Sequence, residues 1–117
     1  MSFAERFEEL EIWQQARALN KSIYALLKDC GDYSFRDQMR RASLSVMNNI
    51  SEGFERRTKK DFAHFLDLAK GSAGEVRSMT FAAEDVGILK KSEAEQLRAE
   101  YEMLSRRIAG FQRHLRA

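Results

Sequence analysis

The chain has 117 residues, of which 44% are hydrophobic, with a formal net charge of +2. A chain of this length forms one domain around one core, and its six glycines and complete lack of proline are typical of an all-helical protein. Because no stretch approaches the roughly 20 apolar residues of a membrane helix and the single cysteine, Cys30, cannot form an internal disulfide bond, we expect a soluble, cytoplasmic protein.

Apolar residues recur at steps of three and four along four segments, which predicts four amphipathic helices. These helices are predicted at about residues 10–30, 34–55, 58–86 and 92–116. A lead-in precedes the first helix, and we expect its two phenylalanines, Phe3 and Phe7, to cover one end of the core. No segment alternates with a period of two, so no strand is expected.

The predicted helix ends carry recognisable signals. Ser34, Thr58 and Ser92 are each followed three residues later by an acidic residue, as in a capping box, and we expect them to start the second, third and fourth helices. We expect Gly31 to end the first helix in the left-handed conformation and Gly87 to end the third helix. Because the connections are short, the sequence predicts an up-down-up-down antiparallel four-helix bundle, with residues 1–117 as one domain.

Polar residues on the facing sides of the second and third helices predict a network inside the packing. Antiparallel pairing would place Ser45 opposite Leu68, and Arg41 opposite Ser72. We expect an ion pair of Arg41 with Glu75 that fixes the register of the two helices. The residues expected in this network are Arg41, Ser45, Asn49, Ser72 and Glu75.

Catalytic and metal-binding patterns are not recognisable. Asp61 and His64 have a spacing related to the Glu-x-x-His pairs of di-iron bundles, but there is no second copy. Neither Glu52 nor Glu75 has an acid, base or nucleophile at a defined spacing, and there is no phosphate-binding glycine loop or paired-cysteine motif. We therefore expect no enzyme, no metal and no cofactor.

Positive charge is concentrated around the connection between the second and third helices. Its basic residues could bind the phosphates of RNA or DNA in a salt-sensitive manner, or they could form an ordinary solvated loop. The residues expected to bind nucleic acid are Arg36, Arg40, Arg56, Arg57, Lys59 and Lys60. A second positive region lies on the last helix, and its relation to the first depends on assembly; it comprises Arg106, Arg107, Arg113 and Arg116.

Several apolar residues lie beside the core-facing stripes. If they were exposed in a monomer, they would form an unusually large apolar patch, and a homo-oligomer would cover it. The alternative is that some of them pack beneath the lead-in. The residues expected at this interface are Trp13, Leu44, Met47, Phe54 and Phe81.

From about Phe7 to Leu115 the chain resembles the 23S rRNA intervening-sequence proteins. The resemblance rests on three elements in order and spacing: Gln38-x-Arg40-Arg41-Ala42, Asn49-Ile50-x-Glu52-Gly53 and Gly71-Ser72-x-x-Glu75. It implies a small bacterial helical bundle without known catalytic activity that assembles as a homopentamer. The sequence departs from the common pattern in having Val46-Met47 where a proline often precedes the Asn-Ile segment.

The resemblance leaves more than one function open. The first is a binding or scaffold module with nucleic-acid affinity. The fold of the family is also similar to that of the accessory proteins of diversity-generating retroelements, which implies a reverse transcriptase and nucleic acid as partners. The third alternative is a purely structural assembly protein.

Overall fold

The computed structural model describes residues 4–117, so the expectation for Phe3 lies outside the described residues. They form a short 3-10 turn, Phe7–Glu9, followed by four α-helices: α1 (Glu11–Leu26), α2 (Tyr33–Phe54), α3 (Lys59–Asp85) and α4 (Lys91–Arg116). No residue in this range is in a β-strand. The prediction of an all-α fold with four helices is therefore confirmed.

The start of α3 was predicted correctly, whereas the start of α2 was not. The Thr58 hydroxyl accepts a hydrogen bond from the backbone N–H of Asp61 at 3.0 Å. At α2, Asp32 and not Ser34 is the capping residue, because its carboxylate accepts from the Phe35 N–H at 3.1 Å. The carboxylate of Asp32, two residues before Ser34, caps a free N–H at the start of the helix and also interacts favourably with the helix dipole.

The capping box predicted for Ser92 and Glu95 is wrong. The helix begins one residue earlier, and Glu93 accepts from the backbone N–H of Lys90 at 2.9 Å. Glu95 instead lies 3.9 Å from the Lys91 ammonium, one helical turn away. The repeated acidic residues of this segment offer two overlapping capping patterns, and the earlier one is used.

The helix ends also differ from one another. Gly87 has a φ of 79° and follows α3, so the prediction that it ends this helix is confirmed. Helix α1 already ends at Leu26, and Gly31 does not adopt a left-handed conformation, so the prediction for Gly31 is wrong. Leu27, the residue that follows the last turn of α1, is fully buried in the core.

All four helices contribute to one hydrophobic core. Helix α2 packs extensively against α3, and α3 against α4, while α1 contacts α2 and shares a smaller surface with α4. The molecule measures 47 × 20 × 19 Å, as expected for helices that lie side by side in a bundle. The largest fully buried apolar side chains are Tyr101, Ile23, Leu27, Met39, Ile50, Leu66, Leu104 and Ile108.

The end of α2 approaches the start of α3 very closely at Gly53. A Cβ atom at this position would lie 2.7 Å from the Cβ of Phe65 and 2.9 Å from Cδ1 of Phe62. Only a residue without a side chain fits between the two helices here. Gly53 therefore fixes where the basic connection leaves the bundle.

Candidate nucleic-acid interface

The connection between α2 and α3 presents basic side chains to solvent. Arg57, Lys59 and Lys60 are exposed, and none of the three forms an ion pair with any residue from 4 to 117. Arg56 is more constrained, because its Nη2 lies 3.2 Å from Oε1 of Glu52 and its guanidinium stacks 4.6 Å from the centre of the Phe65 ring. This segment, residues 56–60, is called the basic turn below.

The basic turn borders a cleft that the last turn of α4 completes. The cleft has a volume of about 400 Å³, and its lining residues are Lys59, Lys60, His64, Asp67, Leu115 and Arg116. Arg116 belongs to the second positive region recognised in the sequence. One residue of the second positive region therefore lies beside the basic turn within a single chain, without assembly.

One acidic residue lies among these cations. The nearly fully buried Gln112, 3% exposed, donates from Nε2 to Oδ1 of Asp67 at 2.6 Å and to the Ala63 carbonyl at 2.9 Å. Arg116 Nη2 lies 3.5 Å from the other carboxylate oxygen of Asp67. The hydrogen bond from Gln112, with smaller contributions from Arg116 and Lys70, lowers the pKa of Asp67 below its ordinary value despite partial desolvation. Asp67 therefore carries a negative charge at neutral pH.

Arg36 and Arg40 lie in a different part of the molecule. The Arg36 guanidinium stacks 4.6 Å from the ring centre of Tyr33, and its Nε donates to Asp37 at 3.0 Å. The Arg40 guanidinium stacks 4.5 Å from the ring centre of Tyr24. With a rise of about 1.5 Å per residue, Arg36 is about 30 Å from Arg56 along α2. The structure does not bring the six predicted basic residues together.

Three of the predicted network residues are linked by hydrogen bonds. The hydroxyls of Ser45 and Ser72 lie 2.8 Å apart, and Asn49 donates to the Ser45 hydroxyl at 3.0 Å. Ser45 was predicted to lie opposite Leu68, but it bonds to Ser72, one helical turn farther along α3, and Leu68 is 44% exposed.

The predicted ion pair of Arg41 with Glu75 is not formed. Glu75 accepts a hydrogen bond from Nε2 of Gln38 at 3.2 Å, and Arg41 is exposed. Both charged residues border the same shallow cleft, but water rather than the core surrounds them. The contacts between α2 and α3 thus include the serine pair and the close approach at Gly53, and no buried pair of Arg41 with Glu75.

The five predicted interface residues are not equally exposed. Trp13 packs against the Phe7 ring at a centroid distance of 5.1 Å, and Leu44, Met47 and Phe54 are also partly buried. Phe81 is 57% exposed, with the Arg98 guanidinium stacked 3.9 Å from its ring centre. Met103 on α4, 51% exposed, was not identified from the sequence. The lead-in thus covers part of the surface that the sequence assigned to assembly.

The described part of the chain offers no obvious metal site. Within residues 4–117, no three His, Cys, Asp or Glu side chains are grouped so that they could hold a metal ion. In the same range, no helix combines the length and the apolar composition that crossing a membrane requires.

Sequence reasoning missed Asp67 and Gln112, and it considered His64 only as a metal ligand and not as part of this cleft. Asp67 and Gln112 lie on different helices, 45 positions apart, and their contact depends on the register of α3 against α4. A polar residue on the otherwise apolar stripe of α4 was the one available signal, because a buried glutamine requires hydrogen-bond partners.

Most of the chain matches a known protein family. Residues 8–110 match the family model described as 23S rRNA-intervening sequence protein. The chain belongs to the 23S rRNA-intervening sequence protein family. A comparison with curated proteins finds no match.

A solved structure supports the fold of this family member. It is described as a protein with unknown function from the S23 ribosomal protein family of Bacteroides thetaiotaomicron. The match has a TM-score of 0.80 and 15% sequence identity, and it covers 86% of this chain and 97% of the other. At this identity the similarity shows a shared fold, which agrees with the family assignment.

Proposed function

We propose that this member of the 23S rRNA-intervening sequence protein family is a non-enzymatic, cytoplasmic binding module that attaches to nucleic acid through the basic turn. The observation that carries this proposal is a set of exposed cations, Arg57, Lys59 and Lys60, that form no ion pair within residues 4–117. Lys59 and Lys60 also share a cleft with Arg116. Cations already paired with carboxylates contribute little to phosphate binding, whereas unpaired ones release counterions from nucleic acid.

The expected mode of binding is contact with the phosphate backbone. The basic turn carries exposed lysine and arginine side chains on a connection and on the first turn of α3. Side chains of this kind on a connection contact phosphates more readily than base edges, which are read from within a groove. We therefore expect weak, salt-sensitive binding with little sequence preference.

Assembly would strengthen this binding. Phe81 and Met103 expose apolar surface that a second copy could cover, and the family resemblance implies a homopentamer. In such an assembly several basic turns would contact one nucleic acid, and the effective concentration of the later contacts would raise the overall affinity.

We also infer that the helices alternate in direction, as in an up-down-up-down bundle. Gly53, near the end of α2, approaches Phe62 near the start of α3, while Gln38, near the start of α2, bonds to Glu75 farther along α3. The ion pairs between α3 and α4 have the same reversed order, namely Asp67 with Arg116 and Glu84 with Arg98. This arrangement places the last turn of α4 beside the basic turn.

The test is neutralisation of the basic turn. Replacing Arg56, Arg57, Lys59 and Lys60 together with glutamine should abolish binding to fluorescein-labelled oligouridylate at low salt without unfolding the protein. The matched control replaces four exposed lysines toward the opposite end, which gives the same change in net charge: Lys21, Lys28, Lys90 and Lys91. The control should retain most of the affinity.

Light scattering on the pure protein with and without RNA separates the remaining functions. A stable oligomer whose titration is the same for the wild type and the basic-turn variant would contradict the nucleic-acid proposal and favour a purely structural assembly protein. Co-purification with a reverse transcriptase would instead indicate the retroelement role.

A further inference from the structure

The cleft beside the basic turn is not uniformly positive. Its walls are formed by Lys59, Lys60, His64 and Arg116, but Asp67 lies between them with its side chain 54% exposed. An anionic ligand that enters the cleft therefore meets a carboxylate as well as the cations.

This carboxylate is fixed in place. Gln112 is buried and uses its amide to donate to both Asp67 and the Ala63 carbonyl, so a rotation of Asp67 out of the cleft would remove one hydrogen bond from a desolvated amide. A buried donor without an acceptor is costly, and the carboxylate accordingly stays in place. Its second oxygen remains 3.5 Å from Arg116, where a phosphate oxygen would otherwise bind.

We propose that Asp67 acts as an internal competitor of phosphate in this cleft and thereby limits the affinity of the basic turn for nucleic acid. The inference rests on the proposed function and deepens it, because it identifies a residue that determines the strength of that binding. Asp67 acts in two ways: it repels an incoming phosphate, and it pairs with Arg116, which would otherwise contribute a counterion-releasing contact.

The substitution Asp67→Asn tests the effect of the charge while keeping the hydrogen bond that supports the fold. Asparagine keeps the Oδ1 atom that accepts from Gln112 but removes the charge beside Arg116. The repulsion between two unit charges about 4 Å apart in water weakens binding roughly fivefold. Removing the carboxylate charge should therefore give about fivefold tighter binding to oligouridylate. The slope of log affinity against log salt should become steeper by about one, since Arg116 then takes part.

The matched control is Asp85→Asn. Asp85 is the last residue of α3, is exposed and forms no ion pair with any of residues 4–117, so the change in net charge is identical. It is about 27 Å from Asp67 along the same helix, well beyond the screening length at physiological salt. We expect its affinity to differ from that of the wild type by less than about twofold.

The measurement is fluorescence anisotropy of the full-length variants with labelled oligouridylate and oligothymidylate over a range of sodium chloride concentrations. Tighter, more salt-dependent binding by Asp67→Asn alone supports the proposal for both RNA and DNA backbones. Equal effects of the two substitutions would overturn it, because Asp67 would then act only through net charge. Absence of binding by the wild type and all variants would overturn the proposed function as well.

A second variant covers the case in which Asp67→Asn does not fold. If Asp67 sequesters Arg116, then Arg116→Gln in the wild-type background should weaken binding less than Lys60→Gln does. In the Asp67→Asn background, where that protein folds, the loss caused by Arg116→Gln should become as large as that of Lys60→Gln. A large loss from Arg116→Gln in the wild type would show that Arg116 is already available and that Asp67 does not compete.

Discussion

The first half of α2 and the basic turn carry similar numbers of positive charges, yet the structure uses them differently. On α2, Arg36 and Arg40 stack on Tyr33 and Tyr24, and Arg36 also pairs with its neighbour Asp37. At the basic turn, exposed lysines extend into solvent without partners among residues 4–117. A cation that stacks on a ring or pairs with a carboxylate stabilises the fold, whereas a cation without such a partner remains available to a ligand. The sequence alone does not distinguish the two cases.

The two regions also differ in how they are positioned. The tyrosines that hold Arg36 and Arg40 provide flat apolar surfaces on which the guanidinium planes rest. The basic turn has no such surface apart from Phe65, and its placement depends on the close approach of two helices at Gly53.

The largest expected effect comes from breaking that close approach. Gly53→Ala places a Cβ 2.7 Å from the Cβ of Phe65, which cannot rotate away, so α2 and α3 must separate. We expect a loss of about 1–3 kcal/mol in the free energy of unfolding, measured by urea denaturation at fixed protein concentration. RNA affinity should fall as well, because the basic turn moves with the helix ends.

Gly71→Ala is the matched control for this prediction. Gly71 is exposed inside α3, and a Cβ there would meet no atom within 4 Å. Alanine should therefore stabilise the protein by roughly 0.5–1 kcal/mol through its higher helix propensity. Equal destabilisation by the two substitutions would mean that steric crowding at Gly53 does not position the turn.

The next prediction compares the stability of one variant on α2 with that of one variant in the basic turn. Arg40→Ala removes a guanidinium packed on Tyr24 together with its partly buried stem, and should lower the free energy of unfolding by about 1 kcal/mol. Lys60→Ala removes an exposed cation from the first turn of α3, where a positive charge opposes the helix dipole, and should change stability by less than about 0.5 kcal/mol.

Nucleic-acid binding should show the reverse order for the same two variants. Lys60→Ala should weaken oligouridylate binding and reduce the salt slope by about one, whereas Arg40→Ala should leave the slope unchanged. Anisotropy titrations at several salt concentrations measure both quantities. If Arg40→Ala reduced the slope as much as Lys60→Ala does, the stacked arginines would also be part of the binding surface.

The sequence was sufficient for the helices but not for the contacts between them. Periodicity and composition predicted four helices and no strand, and three short motifs were enough to indicate the family. All of these signals come from residues that are close together in the sequence. The N-cap positions of α2 and α4, Asp32 and Lys90, were missed because several possible capping residues lie within two or three positions of one another.

The site was predicted only in part, for a related reason. The four cations of the basic turn lie within five consecutive positions, so their clustering could be recognised in the sequence. The separation of Arg36 and Arg40 from the turn, and the contact of Asp67 with Gln112, depend on helix length, register and side-chain partners. These are tertiary features that one amphipathic pattern does not specify.

The last prediction concerns the fully buried polar residues Ser43 and Tyr101, which have little effect at neutral pH. Ser43 donates to Oδ1 of Asn20 at 2.7 Å or to the Arg40 carbonyl at 3.0 Å. The nearby hydroxyl of Tyr101 is fully buried and has no hydrogen-bond partner in residues 4–117 that meets the usual geometry. Burial raises the pKa of Tyr101 well above its ordinary value, with a smaller opposing contribution from Ser43.

This shift makes stability depend on alkaline pH. The unfolded chain releases the phenol proton near pH 10, whereas the folded protein retains it, so the contribution is complete below that pH and is lost as the pH rises above it. Tyr101→Phe should change stability by less than about 1 kcal/mol at neutral pH and should reduce the decline above pH 10, measured by thermal unfolding. Tyr33→Phe removes an exposed phenol and is the matched control. Equal alkaline profiles for the two variants would mean that burial does not raise the pKa of Tyr101, and that the core around this phenol is as open to water as the exposed surface at Tyr33.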